Sequence, residues 1–365
     1  MSRTAVSRKA RRTCLYSVAT VHQQTMPAAA KFTVLALVLL LAGGCERAPR
    51  GLLELHGATM GTAYSVKVAR PPARLDAENL EAGVEAVLER VNASMSNWRD
   101  DAEISQFNHS STTGWVPVSA ELAEVVAAAQ EVSRASGGAF DVTVAPLVEL
   151  WGFGPSWRLP ALPPQDELER ARARVGYDRI EVRSAPPALR KRTADATIDL
   201  AAIAKGYGVD AVADWIEGRH GTDYLVEIGG ELRARGRNPR GQPWRVGIER
   251  PLDDGRAIER VIALGDRAMA TSGDYRNFFE IDGRRYSHEI DPRTGRPIPD
   301  RLAGVTVVTD TCMRADAWAT ALMVLGPEAG LALARERGMA ALFIVRSGAG
   351  FTETATDAMA ALLIE

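Results

Sequence analysis

The stretch GVTVVTDTCMRADAWATALMVL, Gly304 to Leu325, contains a strand, a turn and the start of a helix. Val305, Val307 and Val308 make a short β-branched run that favours an extended chain. Thr309–Thr311 reads as a polar turn, and a helical pattern follows that carries Asp316 and Thr320 near its start. Residues four apart lie one helical turn apart, so this carboxylate and hydroxyl share a face. Two readings stay open. Asp316 caps the helix or pairs with Arg314 while Thr320 packs inward. Alternatively, the two oxygens seat a hard cation such as Mg2+, which prefers oxygen and takes few protein ligands.

Outward from this stretch, strands and helices interleave. β-rich runs over about Leu52–Ala58 and Thr62–Ala69 flank Met60-Gly61. Apolar residues at helical spacing predict helices over about 77–94, 120–135, 165–175, 205–217 and 328–337. Strands are expected near 180–183, 197–200, 244–248, 260–264, 277–281, 341–345 and 351–354. YLVEIGGELRARG, from Tyr224, reads as strand, Gly-Gly turn, strand. With so many hairpin signals, the expected class is α+β with mixed, largely antiparallel sheets rather than a doubly wound parallel sheet.

The chain has 365 residues and a formal charge of −2. Residues 1–44 carry six basic residues and no acid, which leaves −8 for the remainder. A body so charged is a poor nucleic-acid binder, because phosphate contacts need clustered Lys and Arg. The three cysteines, Cys14, Cys45 and Cys312, form no disulfide framework in the body, and no Cys/His spacing suggests zinc. Residues 1–44 read as an address. Phe32–Ala42 is an apolar run of 11 residues, too short for a membrane span of about 20. It ends in Gly43-Gly44-Cys45, similar to a bacterial lipoprotein signal whose cysteine is lipidated; Leu41 stands four residues before Cys45, where such signals usually place it three before. The polar lead of residues 1–25 fits that signal badly, so translation is expected to start at Met26. Residues 45–51 are then a linker, and 52–365 the functional domain.

No G-x-G-x-x-G follows a strand, and neither a P-loop nor a G-x-S-x-G elbow is present. Polar residues concentrate instead at Thr59–Thr62, Ala139–Thr143, Asp199–Lys205 and Ser287–Pro297. Asp199 and Lys205 flank a helix start, where backbone N–H groups favour an anion and a lysine adds a point charge. The plainer alternative is a capping aspartate and a solvated lysine. His288, before the turn-rich DPRTGRP segment, suits a general base near neutral pH, although a lone histidine also serves structure.

Seven segments occur together in order: ATMGT (Ala58–Thr62), GAFDVTVAPLVELWGFG (Gly138–Gly154), DLAAIAKGYGVD (Asp199–Asp210), VEIGGELRARG (Val226–Gly236), TSGDYRNFF (Thr271–Phe279), SHEIDPRTGRPI (Ser287–Ile298) and ADAWATALMVLG (Ala315–Gly326). With them the chain resembles the ApbE family of FAD:protein FMN transferases over nearly all of its length after Cys45. The resemblance implies an Mg2+-dependent enzyme that splits FAD at its pyrophosphate. FMN is joined to a threonine hydroxyl of a target protein and AMP is released. It also implies an FAD cleft between two packed subdomains, a bacterial envelope lipoprotein facing the periplasm, and a target among the subunits of membrane redox pumps. By position it implies that Met60, Trp98, Ala139, Phe140, Asp141, Asp199, Lys205 and Ile290 contact FAD. Ala202 through its carbonyl, Asp316 and Thr320 would ligate the metal, and His288 would be the base. Two other activities stay open: an FAD pyrophosphatase giving FMN and AMP, and a lipoprotein that binds FAD without turnover.

Overall fold

The computed structural model describes residues 51–154, 161–252, 255, 257–275, 277–348 and 350–364. The expectations for the leader, Met26 and Cys45 lie outside the described residues.

The two-residue side-chain period builds the main sheet. β1 (Leu52–Thr59) and β2 (Thr62–Ala69) pair antiparallel across Met60-Gly61, whose φ values of 49° and 72° lie in the left-handed region. β3 (Tyr224–Ile228) and β4 (Glu231–Arg235) form a second hairpin, and β5 (Ala268–Gly273), β6 (Leu302–Thr309), β7 (Ala340–Ser347) and β8 (Gly350–Ala355) complete eight strands. Every neighbouring pair is antiparallel, and spatial order follows chain order from β1 to β8. The α+β, antiparallel reading therefore holds.

Between β2 and β3 the chain forms α1 (Ala77–Met95), α2 (Glu103–His109), α3 (Ala120–Ala135), α4 (Ala145–Leu150), α5 (Gln165–Arg172) and α6 (Ala204–Glu217); α7 (Cys312–Glu336) follows β6. Capping explains where two of them begin. Asp76 accepts from Asn79 N at the start of α1, and Ser119 accepts from Leu122 N at the start of α3.

Helices and a second sheet sandwich the main one. Val305 and Val307 of β6, Ala270 of β5 and Phe343 of β7 pack with Ala319, Leu322 and Met323 of α7. Their strand neighbours Val308, Met269 and Leu342 point to the other face. There they meet Trp244, Val246 and Ile262 around a three-stranded sheet of Arg245–Glu249, Ile258–Ala263 and Leu363–Ile364. With both faces covered, β6 is buried from Leu302 to Val308, which is why its sequence is an apolar run rather than an alternation.

Several expectations need correction. Thr197–Leu200 is not a strand. Asn108 holds Ile198 by both backbone groups, donating to its O and accepting from its N at 2.8 Å each, so no strand among the described residues pairs there. The third expected helix ends at Arg172 rather than Val175. The backbone at Gly326 is non-helical (φ 81°, ψ 177°) and Pro327 opens the next turn, so α7 is two helices in tandem, as its two sequence patterns suggest.

Candidate active site

The site begins where α6 meets α7. Gly206 lets them touch: a Cβ there would stand 2.4 Å from Cys312 O. The first turn of α7 gets no side-chain cap from its own Thr311. Asp210 of α6 caps it across the contact, accepting from Cys312 N and Met313 N at 2.9 Å each, and it also pairs with Arg233 at 3.2 Å. Asp316 is thus freed from the capping role that its sequence position allowed. Its buried carboxylate accepts from Gly206 N through Oδ2 at 3.1 Å, and Lys205 Nζ lies 3.6 Å from the same oxygen. Thr320, one turn further on, shares a hydrogen bond of 3.0 Å with the Ser272 hydroxyl of β5.

These groups open onto a cavity of about 1070 Å³. Asp199, Ala202 and Lys205 line it, as do Asp316 and Thr320; Ala139, Phe140 and Asp141 form another wall; His288 and Ile290 come from the segment after the 284–287 strand; and Trp98, 74% exposed, stands at its edge. Met60 is the expected residue that does not line it. The left-handed turn of the β1–β2 hairpin lays Met60 onto α6, where its Cε is 2.9 Å from the point a Cβ on Gly208 would occupy.

Asp141 also departs from a simple ligand contact. Its Oδ1 accepts from Thr143 N and Thr143 Oγ1 at 2.7 and 2.6 Å, and its Oδ2 accepts from Tyr177 N at 2.8 Å. The carboxylate therefore shapes the wall. Burial pushes the Asp141 carboxyl above its ordinary value, against those hydrogen bonds. The Asp199 carboxyl, on the cavity lining, is raised by the same cause, while its Oδ1 accepts from Ala201 N at 2.9 Å. Burial alone would push Lys205 down, but Asp316 and Glu231 hold its ammonium protonated, raised above the ordinary lysine value. Glu231 is raised by burial, with the Lys205 ammonium opposing.

His288 rests on an aromatic wall. Trp151, Tyr286, Phe279 and Phe153 stack in succession at centroid distances of 5.8, 5.4 and 5.2 Å, and His288 meets Phe153 edge-on at 6.2 Å. Trp151 Nε1 donates to Gly295 O at 2.8 Å, tying this wall to the DPRTGRP turn. His288 Nδ1 lies 3.0 Å from the Asn277 carbonyl oxygen, and Nε2 lies 3.8 Å from Glu289 Oε1. Burial raises the Glu289 carboxyl, with His288 and Lys205 opposing.

Sequence reasoning quoted the segments that hold Asp210, Glu231 and Glu289 but gave these acids no role. The signal available for Glu231 was its place directly after Gly229-Gly230, a turn whose φ values of 65° and 107° commit the next side chain to one direction. Asp210 and Glu289 carried no local signal.

A model of the ApbE family matches residues 60–343. The chain is 45% identical over 319 residues to an FAD:protein FMN transferase of Vibrio cholerae, spanning 87% of this chain and 95% of the relative. It is 41% identical over 328 residues to an FAD:protein FMN transferase of Haemophilus influenzae, spanning 88% and 94%. Among solved structures, the flavin transferase ApbE from Vibrio cholerae superposes with a TM-score of 0.80 at 43% identity, covering 86% of this chain and 99% of that one. The apo form of the Pseudomonas stutzeri flavinyl transferase ApbE gives 0.79 at 42% identity, covering 86% and 96%.

Proposed function

The chain belongs to the ApbE family and transfers FMN from FAD to protein, and we propose that the acceptor is a threonine hydroxyl and that Mg2+ assists. The observation that carries this reading is the meeting of Asp316, Thr320, Ala202, Lys205 and His288, drawn from three separate chain segments, on one cavity.

The donor set suits a hard cation. Asp316 offers a carboxylate oriented by Gly206 N, Thr320 a hydroxyl and Ala202 a backbone carbonyl, all oxygens. Among the described residues no three His, Cys, Asp or Glu side chains cluster, so a cation here would rest on mixed oxygen donors. With those residues holding it, Mg2+ would supply charge neutralisation to the pyrophosphate.

His288 is the base in this reading. The Asn277 carbonyl oxygen can only accept, so Nδ1 carries the ring proton and Nε2 keeps its lone pair. Nε2 takes the threonine proton as the threonine oxygen bonds to the FMN phosphorus. The bond from that phosphorus to the bridging oxygen breaks, and AMP departs with the electron pair. A positioned base contributes about 10²–10⁴-fold in rate. Glu289, 3.8 Å from Nε2, faces the imidazolium as it forms. Lys205 contributes a fixed positive charge to the cavity wall.

We further assign the protein to the bacterial cell envelope, anchored through a lipid on Cys45 and facing the periplasm, with a subunit of a membrane redox pump as target. The apolar run before Gly43-Gly44-Cys45 supports the anchor.

One assay tests the chemistry. The purified chain is incubated with FAD, Mg2+ and a candidate target carrying an acceptor threonine, and the target is examined for covalent flavin. Labelled target is the expected result. FMN and AMP without label would make the protein a pyrophosphatase, and intact FAD would make it a binding protein.

A further inference from the structure

Directly after the β3–β4 turn, β4 begins with a carboxylate that the proposed chemistry leaves unused. Glu231 is 4% exposed and lines the cavity. Its Oε1 lies 3.4 Å from Lys205 Nζ, and its Oε2 is buried without a hydrogen-bond partner among the described residues. The turn is shaped to admit it. A Cβ on Gly229 would stand 3.3 Å from Glu231 Oε2 and 2.8 Å from Thr62 Cγ2, so a side chain at 229 would crowd both.

Lys205 has a flexible four-carbon stem, and an ammonium on such a stem samples many positions unless something holds it. Here three protein oxygens surround it: Ala201 O at 3.3 Å, Glu231 Oε1 at 3.4 Å and Asp316 Oδ2 at 3.6 Å. Asp316 is fixed independently by Gly206 N, and Ala201 O belongs to the turn before α6. Glu231 is the one of the three that reaches the ammonium from the main sheet.

We propose that Glu231 is a positioning residue for FAD binding: it holds the Lys205 ammonium against the cavity wall, so the positive charge that meets the FAD pyrophosphate is already in place. A charge fixed before binding spares the ordering that a free lysine would undergo on contact. The inference rests on the cavity being the FAD site.

FAD affinity, read by flavin fluorescence on the full chain, tests it through a double-mutant cycle. E231A should weaken FAD binding by about 10-fold, the scale of one charge-assisted contact. E231Q should fall between E231A and wild type, because its amide oxygen still accepts from the ammonium. In the K205M background, E231A should change affinity by less than about 2-fold, since nothing remains to position. E231A binding FAD like wild type would overturn the proposal, as would the same fold loss in the K205M background, which would mean Glu231 acts on its own. A purely structural Glu231 would lower the melting temperature and leave that affinity coupling absent. Should E231A fail to fold, E231Q carries the same cycle at smaller amplitude. Wild type failing to bind FAD would instead end the reading of the cavity itself.

Discussion

Replacing Gly206 with alanine strikes the contact on which the site stands. The new Cβ would lie 2.4 Å from Cys312 O, 2.7 Å from Cys312 C and 2.8 Å from Met313 Cα, where ordinary contact begins near 3.4 Å. All three are backbone atoms, so the start of α6 must retreat by about 1 Å in a close-packed interior. Two effects oppose. Alanine is the better helix former by about 0.8–1.0 kcal/mol. Overpacking costs about 1–3 kcal/mol, and toward the upper end where the neighbour cannot yield. The first turn of α7 cannot yield easily, because Asp210 pins both Cys312 N and Met313 N. Steric strain therefore wins, with a net loss of about 1–2 kcal/mol and a melting temperature lower by about 2–4 °C for each kcal/mol. Activity should suffer more than stability. The same retreat draws Gly206 N and Lys205 away from Asp316, and a misplacement of about 1 Å is worth roughly 100-fold in rate. Thermal melts and target flavinylation at saturating FAD measure the two effects. A G206A protein with wild-type melting temperature and wild-type turnover would refute the helix contact as the element that sets the site.

His288→Ala should lower turnover by about 10²–10⁴-fold while FAD affinity stays within a few-fold of wild type; a variant that loses FAD binding instead would be missing a structural histidine. Asp316→Ala should abolish Mg2+-dependent turnover, measured by titrating Mg2+, and full activity at low Mg2+ would sink the metal assignment. The buried Asp141 gives a pH dependence whose sign is fixed. Its carboxyl is raised in the folded state, so its contribution to stability is present below the unfolded carboxylate value and is lost as pH rises through the raised one. Asp141→Asn has no such loss, although its amide faces Tyr177 N with a penalty that does not vary with pH. The difference in melting temperature between D141N and wild type should therefore shift in favour of the variant as pH climbs from about 4 to 7. A flat difference would contradict the burial.

What was legible in the sequence was local. The valines of β6, the helical pair Asp316 and Thr320, and the Gly-Gly turn between β3 and β4 all lie within a few residues of the pattern that reveals them. Gly326-Pro327 likewise divides α7 in the chain and in space. The rest depends on encounters between distant segments. Asp210 caps a helix that starts 102 residues later, and nothing around Asp210 says that α6 will meet α7 there. Thr197–Leu200 alternates like a strand, yet the side chain of Asn108 takes the backbone groups a partner strand would need. Met60 stands in a segment of the family pattern, but the handedness of its turn sends it to Gly208. The carbonyl that meets His288 Nδ1 lies eleven residues upstream, at Asn277, and folds back against the ring.

Because the main sheet keeps chain order, its fluctuations have a direction. Glu231 belongs to β4 and Ser272 to β5, the fourth and fifth of eight strands, with three strands on either side. Fraying starts at edges, and each strand lost exposes the next, so the amides of β1 and β8 should exchange with solvent first and those of β4 and β5 among the last. A cavity wall built from the two middle strands is therefore shielded from disturbances that begin at either edge. The first strand can breathe without moving the residues that line the cavity.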